Sequence, residues 1–336
     1  MGKAYRVGVM GATGAVGRVM LQILEERNFP VAELRPLASS RSAGKRLGFR
    51  GEAVTVQEMT PDSFRGLDFV LASAGASISK QFVEHVKAAG AVMIDNTSAF
   101  RMEPDVPLVI PEVNPGDAAG HRGVIANPNC STIVMLVPLK PLHDAARIRR
   151  IVVSTYQAVS GSGAAAIEEL DRQTKQWAAG KPLTREAYPH QIAFNVLPHV
   201  DTFQPNGYTR EEMKMVNETR KMLHDDAVQV SATCVRVPVF TSHAEAIQIE
   251  TERKLTADQA RDILAKAPGV KVVDDPGASA YPMPLDTSGQ DDIWVGRIRE
   301  DVSHARGLAL WVSGDQLRKG AATNTVQIAE LLIAGK

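Results

Sequence analysis

A cysteine in a proline-containing turn is the first residue of this chain whose setting suggests chemistry. The stretch NPNCST covers positions 127–132, and an apolar run typical of a helix extends from about Ser131 to His143. A thiol at the start of a helix feels the positive end of the helix dipole, which lowers its pKa towards the reactive thiolate. The alternative is an inert buried cysteine, the usual state of a free thiol. The turn and the helix favour a nucleophile at Cys130, where backbone N–H groups could also hold an oxyanion.

A nucleophilic cysteine needs a proton carrier and a group that recognises the substrate, and VQVSATCVRVPVFTSHAEA offers both. Strand alternation puts Cys234 and Arg236 on an apolar face, where the thiol is expected to be inert and the arginine needs an anion. A small carboxylate held in bidentate fashion would suit Arg236. His243 could reach the same pocket, and its ordinary pKa suits proton transfer near neutral pH. An end-of-strand salt bridge for Arg236 and a surface turn for His243 remain alternatives.

The stretch YTREEMKMVNETRKML begins a helix with a capping box, in which Thr209 is the N-cap and Glu212 is the third helical residue. This leaves Glu211 for another task. Glu211 and Lys214 are three residues apart and therefore lie on one face of the helix. Spacing alone does not distinguish a solvated ion pair from part of a functional site.

Three glycines near the N-terminus suggest a phosphate-binding turn. Gly11, Gly14 and Gly17 lie between a short apolar strand and an amphipathic helix in YRVGVMGATGAVGRVMLQILEE. Glycine lets the backbone turn tightly and approach a pyrophosphate, while the N-terminus of the helix points at the charge. The alternative is an ordinary glycine-rich turn. The strand and helix on either side favour a dinucleotide site.

The residues after the second strand, about Glu33–Ala38, indicate which dinucleotide is bound. NAD sites usually have an acidic residue there for the ribose 2′-hydroxyl, whereas NADP sites have a nearby Arg for the 2′-phosphate. This chain has Ser39, Ser40 and Arg41 and no acid at that point, which predicts NADP. A solvated basic loop is the alternative. A cysteine nucleophile with NADP predicts an aldehyde dehydrogenase that forms a thioester.

The order of the predicted elements indicates two domains in the 336 residues. Strands and helices alternate over residues 1–130, which predicts a Rossmann-type, doubly wound parallel sheet in an α/β domain. The segment 315–336 ends in an amphipathic helix that is expected to complete this domain and to bring Gln316 towards the cofactor. Longer strands with fewer helices over residues 131–314 predict an α+β catalytic domain with a mixed sheet.

Composition excludes several classes of protein. Lys+Arg and Asp+Glu both number 38 without a basic tract, so nucleic acid is not the expected partner. No run approaches the roughly 18 apolar residues of a membrane span, and no signal peptide is evident. The two cysteines, at positions 130 and 234, fit neither a disulfide framework nor a metal site. We expect a cytoplasmic protein without a metal that acts on a small molecule.

Taken together, these stretches resemble the aspartate-β-semialdehyde dehydrogenase family along essentially the whole chain. The resemblance rests on GATGAVG, SSRSAGK, DNTSAFRM, VIPEVN, ANPNCSTI, TYQAVSGSG, EEMK, CVRVPV with SHAEA, and DQLRKGAATN. It implies NADP-dependent, reversible reductive dephosphorylation of L-aspartyl 4-phosphate to aspartate 4-semialdehyde, on the route to lysine, threonine and methionine. It also implies that residues 131–314 serve dimerisation and that the protein is a homodimer, possibly a tetramer.

The resemblance implies a role for each matching residue. For catalysis it implies a nucleophile at Cys130, an acid–base residue at His243 and an orienting amide at Gln157. The implied substrate residues are Arg236 for the α-carboxylate, Glu211 for the amino group, Arg101 and Lys214 for phosphate, and Asn129. The implied cofactor residues are Gly11, Thr13, Gly14, Ala15, Val16, Ser40 and Arg41, with Ser160, Gly161 and Gln316 at the nicotinamide end.

Two departures and three alternatives accompany this resemblance. Val134 stands where the family commonly has Gln, and Gln316 stands where it often has Asn. N-acetyl-glutamyl-phosphate reductase has a similar plan, but its acetylated amine would not need an acid such as Glu211. Glyceraldehyde phosphate dehydrogenase is disfavoured by the Ser-Ser-Arg after the second strand. A non-catalytic NADP-binding protein of the same fold would be expected to lack one of Cys130, Gln157, Arg236 and His243.

Overall fold

The chain forms two compact units in a computed structural model that describes residues 3–335. The first unit comprises the residues up to Asn129 and those from Ala321 onwards, and the second runs from Cys130 to Gly320. The boundary in the chain falls directly before Cys130. Residues 315–320, which the sequence assigned to the first domain, belong to the second unit.

The first unit contains a six-stranded parallel sheet, which confirms the predicted Rossmann-type fold. Its strands follow the order β5-β2-β1-β6-β7-β8, so the strand order reverses at the junction of β1 and β6. Ligands of such sheets bind outside the carboxyl ends of the strands at that reversal. The strands are β1 (Tyr5–Met10), β2 (Val31–Ala38), β5 (Gln57–Glu58), β6 (Phe69–Ala72), β7 (Val92–Asp95) and β8 (Val124–Ala126); β3 (Arg46–Phe49) and β4 (Glu52–Thr55) form a separate hairpin.

Helices cover the first sheet, and its central strand β6 is apolar throughout. Every residue of β6 is buried, as expected for a parallel strand with both faces covered. Val326 and Ile328 of the last helix are fully buried in the same core as the first helix. The helices of this unit are α1 (Ala15–Glu26), α2 (Ala76–Ala88) and α8 (Thr323–Ala334).

The second unit contains a six-stranded mixed sheet, which confirms the predicted α+β class. The strand order is β10-β9-β11-β14-β13-β12, with parallel pairs at the two edges and antiparallel pairs between them. The strands are β9 (Ile148–Gln157), β10 (Gln229–Arg236), β11 (His243–Thr251), β12 (Val270–Val272), β13 (Ile293–Glu300) and β14 (Gly307–Gly314). The helices are α3 (Cys130–Ala146), α4 (Ala164–Ala178), α5 (Arg210–Leu223), α6 (Ala257–Leu264) and α7 (Pro284–Thr287).

Helix α3 is held in place by its surroundings. Every residue from Ser131 to Leu139 is buried, Val134 among them, and the helix packs against α5 and the strands of the mixed sheet. Pro138 and Pro141 lie inside it, although each removes a backbone donor and disfavours the helix. A helix that is apolar all round is stable only when it is buried. This burial fixes the position of Cys130, the first residue of the helix.

Within residues 3–335, none of the helices combines the length and the apolar character that crossing a bilayer requires.

Helix α1 packs closely on the glycine turn that follows β1, and this contact gives a testable prediction. A Cβ atom at Gly17 would lie 2.2 Å from the carbonyl oxygen of Gly11. We therefore expect Gly17→Ala to lower the free energy of unfolding by about 1–3 kcal/mol, the usual cost of overpacking. At Gly48 in β3 nothing lies within 4 Å of the added atom. Urea unfolding of Gly48→Ala should stay within about 0.5 kcal/mol of the parent protein, and equal effects of the two changes would contradict the packing argument.

Candidate active site

The two cysteines occupy opposite environments in the second unit. Cys130 is half-buried at the N-terminus of α3, where the first backbone N–H groups of a helix have no partner within the helix. Cys234 in β10 is fully buried, and burial raises the pKa of its thiol far above the ordinary value. Cys234 is thus the inert cysteine, as expected. Gly320 packs closely on this residue, since a Cβ atom at Gly320 would lie 3.0 Å from that of Cys130.

The ends of three adjacent strands bring the other candidate residues together. β9 and β10 are parallel and end side by side, so Gln157 lies opposite Arg236. β11 runs antiparallel to β9 and begins at the same edge with His243. Residues that are 86 positions apart in the chain, Gln157 and His243, thereby come to one edge of the sheet. This arrangement follows from strand order and register.

Arg236 is a buried cation, and its partners are mainly neutral. The residue is only 6% exposed, and its Nη1 donates a hydrogen bond to the carbonyl oxygen of Ala158 at 2.7 Å. The Nε atom is buried without a hydrogen-bond partner. No carboxylate within residues 3–335 forms an ion pair with Arg236, so the predicted alternative of an end-of-strand salt bridge is excluded. A buried guanidinium in this state has the capacity to bind an anion.

His243 is fully buried, which excludes the surface-turn alternative. The backbone N–H of Ala158 donates to its Nδ1 at 3.0 Å, and a Cβ atom at Gly161 would lie 3.3 Å from its Nε2. Burial and the Arg236 guanidinium lower the pKa of His243 to about 3, although Glu211 opposes this shift. The expectation of an ordinary pKa near neutrality is therefore wrong for the protein without substrate. The ring is neutral, and because Nδ1 accepts, its proton is assigned to Nε2.

A chain of polar contacts connects Gln157 to helix α5. Gln157 Nε2 donates to the hydroxyl of Ser131 in α3 and, at 3.1 Å, to Glu211 Oε1. Glu211 is only 6% exposed, and its other oxygen accepts from Lys214 Nζ at 2.9 Å. Lys214 also donates to Asp201 at 2.8 Å. The pair Glu211–Lys214 is therefore part of a network that runs from the buried Gln157 to the surface at Asp201, rather than an isolated solvated ion pair.

Capping accounts for the position of Glu211. The backbone N–H of Thr209 donates to Glu212 at 2.7 Å and that of Glu212 donates to Thr209 at 3.3 Å, which confirms the predicted capping box.

The charge of Lys214 is determined by its two acidic partners. Burial lowers the pKa of Lys214, but Glu211 and Asp201 outweigh that effect and raise it above the ordinary value. Lys214 is consequently a permanent cation between two acids.

Ser160, Gly161 and Gln316 lie beside His243. Ser160 and Gly161 belong to a short 3₁₀ helix, Val159–Ser162, that directly follows β9. Gln316 Nε2 donates to the Ser160 hydroxyl, and its Oε1 accepts from the backbone N–H of Ser242 at 2.8 Å. The amide of Gln316 thus ties this loop to the turn before His243.

Some residues of the site carried no sequence signal. Ala158 donates its N–H to His243 and offers its carbonyl to Arg236, but backbone groups are the same in every residue. Asp201 lies in a loop at φ +66°, a left-handed conformation that is uncommon for a residue other than glycine. Its distance of 13 residues from Lys214 fits no helix or strand spacing. Only the folded chain relates these residues to the site.

The first unit has the features that a dinucleotide needs. Gly11 has φ +81°, and a Cβ atom there would come within 3.0 Å of the backbone of Ala74. No side chain caps α1, whose N-cap is Gly14, so its first N–H groups remain available to a phosphate. Thr13, Ala15 and Val16 surround this turn and are half-buried, and Ser40 and Arg41 are exposed at the carboxyl end of β2. These residues fit a dinucleotide phosphate and a 2′-phosphate.

Arg101 and Asn129 also belong to the first unit and are buried. Arg101 donates to the carbonyl oxygens of Asn127 at 3.0 Å and Asn96 at 3.1 Å, which fixes its side chain near the carboxyl ends of β7 and β8. Lys214 lies in the second unit, so the pairing of Arg101 with Lys214 around a phosphate stays a prediction.

Two family models match the chain. The NAD binding domain of semialdehyde dehydrogenases matches residues 6–121, and their dimerisation domain matches residues 139–319. The chain is 56% identical over 333 residues to the aspartate-semialdehyde dehydrogenase of Aquifex aeolicus, with 98% of each sequence covered.

The solved structures that the chain resembles are also aspartate semialdehyde dehydrogenases. The chain resembles aspartate semialdehyde dehydrogenase II from Vibrio cholerae complexed with ASA, with a TM-score of 0.96, 48% identity and 99% of both chains covered. It also resembles the aspartate semialdehyde dehydrogenase with NADP from Candida albicans, with a TM-score of 0.76, 26% identity and 98% of both chains covered.

Proposed function

The chain belongs to the aspartate-semialdehyde dehydrogenase family, and from that premise we propose that it reversibly converts L-aspartyl 4-phosphate to L-aspartate 4-semialdehyde with NADP as cofactor. In cells this reaction would serve the synthesis of lysine, threonine and methionine. The proposed location is the cytoplasm, where glutathione keeps a cysteine nucleophile reduced.

One observation carries the proposal: a buried cation and a buried anion both act on His243. Arg236 lowers the pKa of His243 and Glu211 raises it, so both charges lie within electrostatic reach of the same ring. An α-amino acid bears a carboxylate and an ammonium group. We propose that Arg236 binds the carboxylate, which would give the buried guanidinium an anion, and that Glu211 binds the ammonium with the oxygens that Lys214 and Gln157 already hold in place.

Cys130 is the proposed nucleophile. Its thiolate adds to the aldehyde carbon, forming a C–S bond and an oxyanion that the N–H groups at the start of α3 can stabilise. NADP, when bound, supplies the hydride acceptor that converts this adduct into the acyl-thioester. Attack of phosphate then breaks the C–S bond, releases the acyl phosphate and returns the thiolate of Cys130.

His243 is the proposed acid–base residue, and its hydrogen bonds favour the donor half of that role. With Nδ1 occupied by the Ala158 N–H, the Nε2–H group is the one able to reach a substrate oxygen. The Arg236 charge contributes to the low pKa of His243. A substrate carboxylate would neutralise that charge, so we expect the pKa of His243 to rise when the substrate binds.

Gln157, Arg101 and Lys214 complete the proposed site. The amide of Gln157 is held by Ser131 and Glu211 and would orient the thioester. Arg101 and Lys214 are proposed to bind phosphate, for which two cations are suited. A buried carboxylate at Glu211 also disfavours an N-acetylated substrate, because an acetylated amine has no positive charge to pair with it.

NADP is proposed over NAD because of the residues after β2. Arg41 is exposed at the end of that strand, and no acidic residue stands between Ala38 and Lys45 to bind a 2′-hydroxyl. Backbone N–H groups from Thr13 to Val16, around the start of α1, would hold the pyrophosphate.

A homodimer is proposed through the outward face of the mixed sheet. Residues on β9, β11 and β14 alternate between a core face towards α3 and an outward face that carries Tyr156, Ala246 and Trp311. Tyr156 and Trp311 are in ring contact at 5.3 Å, beside a pocket of ≈ 400 Å³ lined by Trp311, Tyr281 and Met283. An apolar sheet face with aromatic residues is suited to bury itself against a second copy.

The reaction is tested by NADPH formation from aspartate semialdehyde, phosphate and NADP. We expect phosphate-dependent turnover that falls by at least about a thousandfold in Cys130→Ala, because a thioester can no longer form. Cys234→Ala is the matched control and should retain most of the activity. Full activity of Cys130→Ala would show that Cys130 is not the nucleophile. An inactive parent protein would exclude aspartate semialdehyde as the substrate.

The cofactor assignment is tested by Arg41→Ala. Hydrogen bonds to charged groups are worth about 1.5–3 kcal/mol, so the ratio of kcat/KM for NADP to that for NAD should fall about tenfold to a hundredfold. Arg46→Ala, in the neighbouring hairpin, is the control and should leave the ratio unchanged. An unchanged ratio in Arg41→Ala would show that another group selects the cofactor.

The dimer surface is tested by Trp311→Glu. A carboxylate in the centre of the apolar face should be costly to bury, and sedimentation velocity is expected to show monomers at concentrations where the parent protein is dimeric. Val302→Glu changes another exposed apolar residue, in the turn between β13 and β14, and should leave the dimer intact. A dimeric Trp311→Glu protein would place the interface elsewhere.

A further inference from the structure

A carboxyl group lies beside the proposed site with no task in the chemistry derived so far. Glu245 is fully buried, two residues after His243 on β11 and on the same face of the sheet. Both of its carboxyl oxygens lack a hydrogen-bond partner among the residues that the structure describes. Buried polar groups nearly always have a partner, so Glu245 requires an explanation.

The surroundings of Glu245 determine its charge. Burial raises the pKa of Glu245 well above its ordinary value, and the Glu211 carboxylate raises it further. The Cys234 thiol on β10, whose pKa Glu245 raises, and the neutral His243 on β11 are its other titratable neighbours; its partners on β9 and β14 are Thr155 and Val312. No Lys or Arg of the described chain forms an ion pair with it. Glu245 is therefore a neutral carboxylic acid, with an O–H group to donate.

The register of the sheet directs that donor towards Gln157. Glu245 lies opposite Thr155, so Gln157 is its diagonal neighbour on the same face. Diagonal neighbours in a sheet are about 7–8 Å apart, within reach of two long side chains or of one bridging water. Gln157 Oε1 is a buried acceptor without a donor, and so is the hydroxyl oxygen of Thr155 between them. The unpaired acceptors thus belong to the opposite and diagonal neighbours of the unpaired acid, on the same face of the sheet.

We propose that Glu245 is a positioning residue: as a neutral acid it donates through one ordered water to Gln157 Oε1, the unpaired acceptor diagonal to it on the same face of the sheet, and so fixes the orientation of the Gln157 amide. The proposal rests on the proposed function, in which Gln157 orients the thioester. Glu245 itself touches neither substrate nor cofactor.

Ionisation of Glu245 would have a definite consequence. A carboxylate only accepts hydrogen bonds, so it would attract the NH₂ end of the Gln157 amide and repel the oxygen. The amide would turn over, and Nε2 would leave Ser131 and Glu211, its present acceptors. A proton on Glu245 therefore gives the oxygen of the Gln157 amide a donor while its NH₂ group keeps its acceptors.

Two substitutions separate positioning from simple packing. Glu245→Gln keeps a neutral donor of the same shape and should retain kcat at neutral pH. Glu245→Leu keeps the volume and fills the core, but it has no donor, so kcat should fall about tenfold to a hundredfold through misorientation at the thioester. The KM for aspartate semialdehyde should change little in either variant, because Arg236 and Glu211 are intact. A Glu245→Leu enzyme with the kcat of the parent would overturn the proposal.

The pH profile locates the proton. The neutral acid is the active form, so kcat of the parent should fall as the pH rises through the raised pKa of Glu245. Glu245→Gln has no proton to lose there, and its alkaline limb should shift to higher pH. Superimposable alkaline limbs in the parent and Glu245→Gln would contradict a protonated Glu245, even if Glu245→Leu failed to fold.

Two measurements do not depend on turnover. Infrared difference spectra between the parent and Glu245→Gln should contain the C=O stretch of a protonated carboxylic acid at neutral pH. In the unfolded chain Glu245 ionises above its ordinary pKa, so the raised folded pKa predicts a stability that declines as pH rises from there. Glu245→Gln should remove that decline in urea unfolding. A carboxylate band instead of the acid band would contradict the inference. An inactive parent protein that shows the acid band would overturn the proposed function but would still support a protonated Glu245.

Discussion

The second unit depends on a guanidinium that is buried among neutral partners. Taking Arg236 out of water without an acidic partner is costly, and the cost is reduced by the Ala158 carbonyl. The same residue donates its N–H to His243, so one peptide segment orients both the cation and the imidazole. Burial, together with the Arg236 charge, lowers the pKa of His243, so the imidazole stays neutral in the absence of substrate. An anion that paired with Arg236 would reduce the cost of burying the guanidinium and would also allow the pKa of His243 to rise.

Charges alternate away from this centre. Glu211 is bonded to Lys214, and Lys214 to Asp201, while burial and the Glu211 carboxylate raise the pKa of Glu245 well above its ordinary value. Two ionised carboxylates in that core would repel each other with little water to screen them. The buried ends of this pattern are the carboxylate of Glu211 and the guanidinium of Arg236, to which the proposed function assigns the ammonium group and the carboxylate of the substrate. This pattern suits a zwitterionic substrate.

Local pattern was sufficient for much of the fold. Apolar strands followed by helices predicted the parallel sheet of the first unit, and the capping box at Thr209 predicted the start of α5, because these features depend on neighbours within a few residues. The helix bounds were less accurate: α3 continues through Pro138 and Pro141 to Ala146, beyond the predicted His143. Burial on all sides stabilised turns that propensity alone disfavours.

By itself the sequence determined which residues were candidates for chemistry. The turn at Cys130, the arginine on an apolar face and the glycines near the N-terminus were all evident from type and spacing. Only the tertiary structure decided their charge states and partners: that His243 is neutral, that the buried Glu211 pairs with Lys214, and that Ala158 bonds to two side chains. The physical reason is that a pKa depends on burial and on charges brought from distant strands, and that register, which spacing does not contain, determines which strand ends meet.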